Sequence, residues 1–120
     1  MGGYSNGQQI TYKFAAAALS SATIVGRFIG PAGKTGRVVS AEALITTTTT
    51  TNPTLVLIGN SGDPNAYLTL TVAAHAANLG DNANARGVDN RIDADTVVEV
   101  AVDGGADAGA ADLTITVEWS

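Results

Sequence analysis

The hydrophobic and polar positions of this chain alternate with a period of two over several short segments. In "DLTITVEW", the residues Leu113, Ile115, Val117 and Trp119 fall on one side of an extended chain, and threonines lie between them. Successive side chains of a β-strand point to opposite faces of a sheet, so this pattern predicts a strand with one buried and one solvated face. "YLTLTV" and "TVVEVAV" repeat the pattern and predict two more strands of the same kind.

The rest of the chain contains further strand segments. "PTLVLIGN" is apolar on both faces, which indicates a central strand or a strand in a protein interface. The others are "QITYKF", "ATIVGRFI", "GRVVSAEALIT" and the weaker "ARGVDNRI". Clusters of Gly, Asp and Asn predict turns between them, and "FAAAALSSA" is the one candidate for a helical turn. We therefore predict an all-β fold: a single-domain antiparallel β-sandwich, jelly-roll-like, over residues 10–120, with a short extended N-terminal arm over residues 1–9.

The stretch "GPAGKTG" suggests chemistry, because phosphate-binding P-loops are also built from glycine, lysine and threonine. A P-loop needs G-x-x-x-x-G-K-[ST] between a strand and a helix, and Phe28 stands where its first glycine belongs. The residues that follow are rich in β-branched side chains, which disfavour a helix. They predict a strand that places Val39, Ala41, Ala43 and Ile45 on one face. We therefore interpret "GPAGKTG" as a turn between two strands.

Composition and charge narrow the classes of function. A chain of 120 residues buries about two-thirds of its unfolded surface without help from metal or disulfides, and this one has no cysteine. Its net charge of −5 is uneven: residues 1–62 hold four cations and one carboxylate (+3), and residues 63–120 hold two arginines and ten carboxylates (−8). The split predicts either complementary patches between copies or a solvated acidic face.

Several classes of partner and location are disfavoured by the same composition. Nucleic-acid binding needs a clustered basic surface with aromatic side chains, which this sequence lacks. No apolar run is long enough for a membrane helix, and "MGGYSNGQQI" does not have the pattern of a secretory signal peptide. We therefore expect neither nucleic acid nor a membrane as a partner.

No group of side chains completes a metal-binding or catalytic motif. His75 is the only histidine and has no serine or cysteine partner at a triad spacing. An EF-hand template that begins at Asn82 places Arg86 at its fifth position, where an oxygen ligand is required. We therefore expect no cofactor, no metal and no enzyme activity, and a structural calcium ion in the acidic loops stays open as the alternative.

Paired carboxylates are a further candidate for chemistry. A glycosidase pair would have to come from Asp89, Asp93, Asp95 and Asp103. Such a pair lies across a cleft, usually beside aromatic side chains that stack on the sugar. Trp119 alternates with Val117 on an apolar face, so we interpret it as a core residue rather than as a sugar platform.

Three stretches carry a resemblance to a known class of proteins. They are "GGYSNGQQITYKF", "GRVVSAEALITTTTTTNPTLVLIGN" and "RIDADTVVEVAVDGGADAGAADLTITVEWS". In these stretches the chain resembles the capsid decoration, or cement, proteins of tailed bacteriophages. The resemblance implies an all-β, jelly-roll-like structural protein without catalysis, made in the host cytoplasm. It further implies a homotrimer that binds the major capsid protein on the exterior of the virion.

Within that resemblance, five residues are candidates for the protein interface. Lys34 and Arg37 are the cations displayed near the "GPAGKTG" turn, where they could contact an acidic shell or the acidic half of another copy. Tyr4 lies in the N-terminal arm, which could become ordered on a neighbour. Thr48 and Thr50 lie in a run of six threonines, whose β-branched side chains suit pairing with a neighbouring subunit.

The alternative function is a carbohydrate- or receptor-binding β-module of a phage fibre or a surface adhesin. Such a module needs exposed aromatic side chains, and the candidates are Tyr4, Tyr12 and Tyr67. Both functions act through a surface, so they differ in which side chains the fold exposes.

Overall fold

The computed structural model describes residues 8–49, 52–84 and 90–120 of the chain. Within these ranges there are nine strands and no helix, so the all-β prediction is confirmed. The strands are β1 (Gln8–Ala18), β2 (Thr23–Ile29), β3 (Gly36–Thr47), β4 (Thr54–Gly59), β5 (Leu68–Val72), β6 (Gly80–Asn84), β7 (Arg91–Ile92), β8 (Val97–Val102) and β9 (Ala110–Trp119). Of the predicted arm, Gln8 and Gln9 belong to β1, and residues 1–7 lie outside the described residues.

The strands pair in a nested order. The first strand pairs with the last, β2 pairs with β8, β3 with β6 and β7, and β4 with β5, all antiparallel. Successive pairs alternate between two sheets, one in the order β1-β9-β3-β6 with β7 also beside β3, the other in the order β2-β8-β4-β5. This is the strand order of a jelly roll, in which a folded-over ribbon of strand pairs wraps into two packed sheets. The predicted jelly-roll-like sandwich is confirmed.

The apolar sets of the alternating segments form the core between the two sheets. On β9, Leu113, Ile115, Val117 and Trp119 are all buried. The facing sheet contributes inward side chains from three of its four strands, β4, β5 and β8: Val56, Ile58, Leu70, Val72, Val98, Val100 and Val102. The segment that is apolar on both faces is β4, which lies between β8 and β5 and so is a central strand as predicted.

A β-bulge changes the predicted inward face at the start of β3. The alternation predicts Val39 on the buried face together with Ala41, whereas Val38 is buried and Val39 is half-buried. The pairing of β3 with β9 shifts register between Val38 and Ser40. The extra residue of a bulge reverses the alternation on its N-terminal side, so the prediction is correct beyond the bulge and wrong before it.

The first strand is longer than its pattern predicts. The helical turn predicted in "FAAAALSSA" is wrong, because β1 runs through this segment as far as Ala18. Its pairing with β9 is interrupted by a bulge between Phe14 and Ala17. At the bulge Ala16 adopts a φ of 51°, and its N–H donates to Asp112 Oδ1 at 2.8 Å. A side chain of β9 thus replaces the backbone partner that the bulge removes.

The "GPAGKTG" stretch forms the turn between β2 and β3, as predicted. A backbone hydrogen bond of 3.1 Å closes the turn over residues 31–34, in which Gly33 has a φ of 75°. A β-carbon on Gly30 or Gly36 would lie 2.6 Å or 2.5 Å from the ring of Trp119. Gly33 is therefore explained by its positive φ, and Gly30 and Gly36 are explained by the close packing of the indole ring.

Candidate functional site

The outward side of the sheet β1-β9-β3-β6 is polar, and we call it the polar face. Paired residues on neighbouring strands lie side by side and form rows across the sheet. Two adjacent rows are Lys13–Thr114–Glu42–Asn82 and Thr11–Thr116–Ser40–Asn84. The hydroxyl oxygens of Thr11 and Thr116 are 3.2 Å apart. Leu44, which is 48% exposed, is the large apolar side chain that departs from this pattern.

The outward side of the sheet β2-β8-β4-β5 is largely apolar, and we call it the apolar face. One row crosses all four strands and consists of Ile24, Ala101, Leu57 and Thr69. A second row pairs Ile29 with Val97. The exposed fractions of Ile24, Ile29 and Val97 are 42%, 53% and 47%. Exposed aliphatic side chains that cluster on one face are typical of an interaction surface, whereas single ones are ordinary.

One ion pair lies between the two apolar rows. Arg27 and Glu99 are neighbours across β2 and β8, and Arg27 Nε lies 3.0 Å from Glu99 Oε2. The side chain of Glu99 is 17% exposed, while that of Arg27 is 55% exposed. The two charges cancel, so these three rows carry no net charge. Two copies of the chain can therefore meet through this face without repulsion between like charges.

The end of the sandwich at the β2–β3 turn brings together two of the predicted interface residues. Lys34 is exposed in the turn. Arg37, the second residue of β3, is also exposed. Arg37 pairs with Glu118 on β9 and with Arg91 on β7. A cavity of about 270 Å³, which we call the arginine pocket, is lined by Thr35, Gly36, Arg37, Arg91, Glu118 and Ser120. The sequence does not indicate that Arg91 belongs here, because the register of the two-residue strand β7 has no signal in the sequence.

Strand pairing neutralises part of the charge split along the sequence. The nested order sets N-terminal strands beside C-terminal ones. Lys13 Nζ therefore lies 4.0 Å from Asp112 Oδ2, and Arg27 forms an ion pair with Glu99. Among the described residues, no ion pair involves Lys34 or Arg37. These two cations of the N-terminal half are thus the ones that the fold leaves available to a partner.

The threonine candidates lie elsewhere. Thr48 follows the last residue of β3, and Arg37 is the second residue of that strand. At about 3.3 Å per residue, the two positions are roughly 35 Å apart along the strand. Thr48 is exposed, and its Oγ1 accepts a hydrogen bond from Ala77 N–H at 3.3 Å. The candidate interface residues therefore lie at opposite ends of the sandwich, and Tyr4 and Thr50 lie outside the described residues.

The aromatic candidates for sugar binding are packed into the protein. Tyr67 is only 6% exposed, and its hydroxyl accepts a hydrogen bond from Asn60 Nδ2 at 3.0 Å. The ring of Tyr12 stacks on that of Phe28 with centroids 3.8 Å apart, and its hydroxyl accepts from Trp119 Nε1 at 3.2 Å. The expectation that Tyr12 and Tyr67 provide exposed aromatic platforms is wrong, whereas the core position of Trp119 is confirmed.

His75 belongs to a connection between strands. Its Nε2 lies 2.8 Å from Asp81 Oδ2, and the same oxygen accepts a hydrogen bond from Ala73 N–H at 3.0 Å. The backbone of His75 is bonded in turn to Thr49 in the loop after β3. These contacts tie the β5–β6 connection to two other parts of the sandwich.

The acidic residues considered for catalysis or calcium are dispersed. Asp95 precedes β8 and Asp103 follows it, so about 25 Å of strand separates them at 3.3 Å per residue. A glycosidase pair needs a much smaller separation, about 5–9.5 Å. Asp89 and Arg86 lie outside the described residues, and Asn82 lies on the polar face. In the part of the chain that the structure describes, no three His, Asp or Glu side chains converge as a metal site.

Asp103 fixes the end of the apolar-face sheet. Its Oδ1 accepts hydrogen bonds from Thr54 Oγ1 at 2.7 Å, Leu55 N–H at 2.9 Å and Gly105 N–H at 3.0 Å. Partial desolvation acts to raise the pKa of Asp103, but the hydrogen bonds outweigh it and hold this pKa below the ordinary value of an aspartate. The ionised carboxylate therefore joins β4 to the β8–β9 connection.

Comparison with models of protein families, with curated proteins and with solved structures finds no match to this chain. A search of the described residues for a helix long and apolar enough to cross a membrane finds none.

Proposed function

We propose that this protein is a virion structural protein that binds the outer surface of an assembled phage head and stabilises it by bridging major capsid subunits. The observation that carries the proposal is the division of a jelly-roll sandwich into a polar face and an apolar face. A protein that acts by adhesion needs surfaces of different chemistry for different neighbours. The jelly roll also recurs in viral capsid proteins, which supports the proposal by analogy of fold.

In this proposal the apolar face joins copies of the chain into a homotrimer. Full burial of an exposed aliphatic side chain contributes about 1.5–3 kcal/mol, so a half-exposed one contributes about 1 kcal/mol when a neighbour covers it. Ile24, Ile29 and Val97 each offer such a gain on every copy. The neutral Arg27–Glu99 pair adds no repulsion between copies.

The shell is contacted through the end of the sandwich that carries unpaired cations. Lys34 and Arg37 lie there together, and no described carboxylate forms an ion pair with either of them. Charges at the rim of an interface accelerate association and fix its orientation. The threonines of the polar face then remain in contact with solvent.

The test is co-sedimentation of the purified protein with heads assembled from the major capsid protein that the same genome encodes. We expect saturable binding to assembled heads, and decorated heads that withstand higher temperatures than bare heads. The unassembled capsid protein is the control, because a bridging protein needs two correctly spaced subunits. Absence of binding at every concentration at which the protein is soluble would contradict the proposal.

The carbohydrate- or receptor-binding alternative loses two of the three side chains on which it depended, and the third, Tyr4, lies outside the described residues. Tyr67 is buried and Tyr12 is stacked against Phe28, so neither presents a free ring to a sugar. Saturable binding to a glycan array by the folded protein, together with no binding to heads, would reverse this order of preference.

A further inference from the structure

Two arginines lie directly opposite each other at the edge of the polar face. Arg37 on β3 is in register with Arg91 on β7, and both side chains are exposed. Like charges at directly opposed positions destabilise a pair of strands. Outward positions on a strand tolerate many polar residues, so neither the core nor the sheet requires two cations here.

The neighbours of the two arginines leave their charge largely available. Arg91 Nε lies 3.4 Å from Asp93 Oδ1, but these side chains are 66% and 80% exposed, and such surface pairs contribute little. Glu118 is the strand neighbour of Arg37 on its other side, yet the two do not come within ion-pair distance. The side-chain charges that line the arginine pocket therefore sum to +1, from Arg37 and Arg91 against Glu118.

We infer that the arginine pocket binds carboxylate side chains of an acidic partner protein. A guanidinium group presents parallel N–H donors that match the two oxygens of a carboxylate. A carboxylate between Arg37 and Arg91 would also offset the repulsion between the two positive guanidinium groups. Lys34, in the adjacent turn, adds a further positive charge to the approach. That the partner is the capsid shell rests on the proposed function, whereas carboxylate binding itself does not.

The wall of the pocket also carries a carboxylate. Glu118 lines the same cavity as the two arginines, and its negative charge weakens the attraction that they exert on any anion. The match between two planar guanidinium groups and a planar carboxylate, rather than the net charge, is therefore what favours a carboxylate. A second cavity on the polar face, of about 290 Å³, is less suited to anions, because the one cation in its lining, Lys13, already faces Asp112.

The first experiment titrates the ¹⁵N-labelled full chain with an oligoglutamate peptide and follows the arginine Nε–H signals by NMR. We expect saturable shifts at Arg37 and Arg91, little change at Arg27, and binding that weakens as salt is added. Inorganic phosphate and an oligolysine peptide are titrated in parallel. The inference is overturned if the peptide leaves both signals unmoved, or if phosphate moves them at lower concentrations than the peptide does.

Single-charge variants locate the binding. We expect Arg37→Gln and Arg91→Gln each to weaken oligoglutamate binding about tenfold, because each removes charge-assisted hydrogen bonds. Arg37→Lys keeps the charge and loses the planar guanidinium group, so its affinity for oligoglutamate should lie between those of Arg37→Gln and the native chain. Lys13→Gln is the matched control, since it removes one exposed cation from the same face. Equal losses in the control and in the arginine variants would contradict a specific pocket.

Co-sedimentation of the same variants with heads separates the two proposals. Weaker binding of Arg37→Gln and Arg91→Gln to heads, with Lys13→Gln unchanged, supports the use of the pocket at the shell. Binding of both arginine variants at the native level overturns that use and leaves the proposed function in place. Peptide binding at the pocket with no binding of any form to heads supports the pocket and contradicts the proposed function.

Discussion

The two outward faces of the sandwich are built by the same nested topology, yet they differ in chemistry. On the polar face, rows of threonine, asparagine and charged side chains cross the strands, and Leu44 is an exposed aliphatic residue on one of these strands. On the apolar face, Ile24, Ile29 and Val97 cluster around an ion pair that is already satisfied. The inward faces do not differ in this way, because both are apolar. Under the proposed function, the outward composition reflects the neighbour that each face meets, whereas the inward composition reflects only the fold.

The same comparison separates two kinds of contact by their response to salt. Burial of aliphatic side chains is not weakened by simple salts, so contacts through the apolar face should persist as ionic strength rises. Contacts through the arginine pocket depend on exposed charges, which salt screens over about 10 Å at 0.1 M. Self-association and partner binding should thus respond differently to the same change of buffer.

The largest effect should come from the inward side of β9, at Trp119. Trp119→Ala empties the space beside Gly30 and Gly36 and should lower the free energy of unfolding by about 4 kcal/mol. Thr116→Ala, on the outward side of the same strand, should change it by no more than about 0.5 kcal/mol. Denaturant unfolding measures both values. Similar losses in the two variants would contradict the division of β9 into a core side and a solvated side.

The next effect concerns the two outward faces themselves. The double variant Ile24→Lys plus Val97→Lys places two positive charges on the apolar face and should dissociate the proposed trimer into single chains, because burial of unpaired charges is unfavourable. Leu44→Lys is the matched control, since Leu44 is 48% exposed and Val97 is 47% exposed. Its native mass should equal that of the unaltered protein. Sedimentation velocity measures the native mass of both variants. Dissociation of the Leu44→Lys variant alone would show that the copies associate through the polar face and not through the apolar face.

A smaller effect is expected at Asp103, which anchors the apolar-face sheet. Asp103→Asn keeps an oxygen acceptor but loses the charge, and should lower stability at neutral pH by about 1 kcal/mol. The folded-state pKa of Asp103 lies below its ordinary value, so the ionised carboxylate stabilises the fold above the unfolded-state pKa, and this contribution is lost as pH falls through the folded-state pKa. The difference between the two proteins should therefore disappear in acid. A difference that is constant with pH would show that the charge of Asp103 does not stabilise the fold.

The smallest effect is a gain of stability at the bulge of β1. Ala16 adopts a positive φ, which is unfavourable for any residue with a β-carbon. Ala16→Gly should therefore raise the free energy of unfolding by about 0.5–1 kcal/mol. Ala15→Gly, at the neighbouring position without a positive φ, should lower it by a similar amount. Thermal unfolding of the two variants measures the contrast, and equal destabilisation by both would show that the bulge is not strained at Ala16.

The sequence predicts most of the fold because alternation and burial coincide over long strands. In β5, β8 and β9 every second residue is apolar, and those residues form the core. The strand β6, with the sequence "GDNAN", is one of the clusters of Gly, Asp and Asn from which the sequence predicts turns, and it lacks the β-branched residues that are typical of strands. Its pairing with residues 40–44 of β3 determines its conformation, and such tertiary pairing has no local signal.

The candidate site is less predictable, because it depends on register. Lys34 and Arg37 follow from the "GPAGKTG" turn, but Arg91 joins them only through the pairing of β3 with a strand of two residues. Likewise, the sequence marks Tyr67 as outward by alternation with Thr69, whereas it lies just before β5 and turns into the core. Short strands and strand ends are where the alternation ceases to determine the direction of a side chain.

The most direct test of the account is the native mass of the unaltered protein, measured by light scattering over a range of concentrations at low and high salt. The proposed trimer, joined through the apolar face, predicts a mass of about 36 kDa, three times the chain mass of 12.0 kDa, that does not fall as salt is raised. A mass of 12.0 kDa at every concentration would contradict self-association through this face. An oligomer that dissociates in high salt would place the contact on charged groups instead.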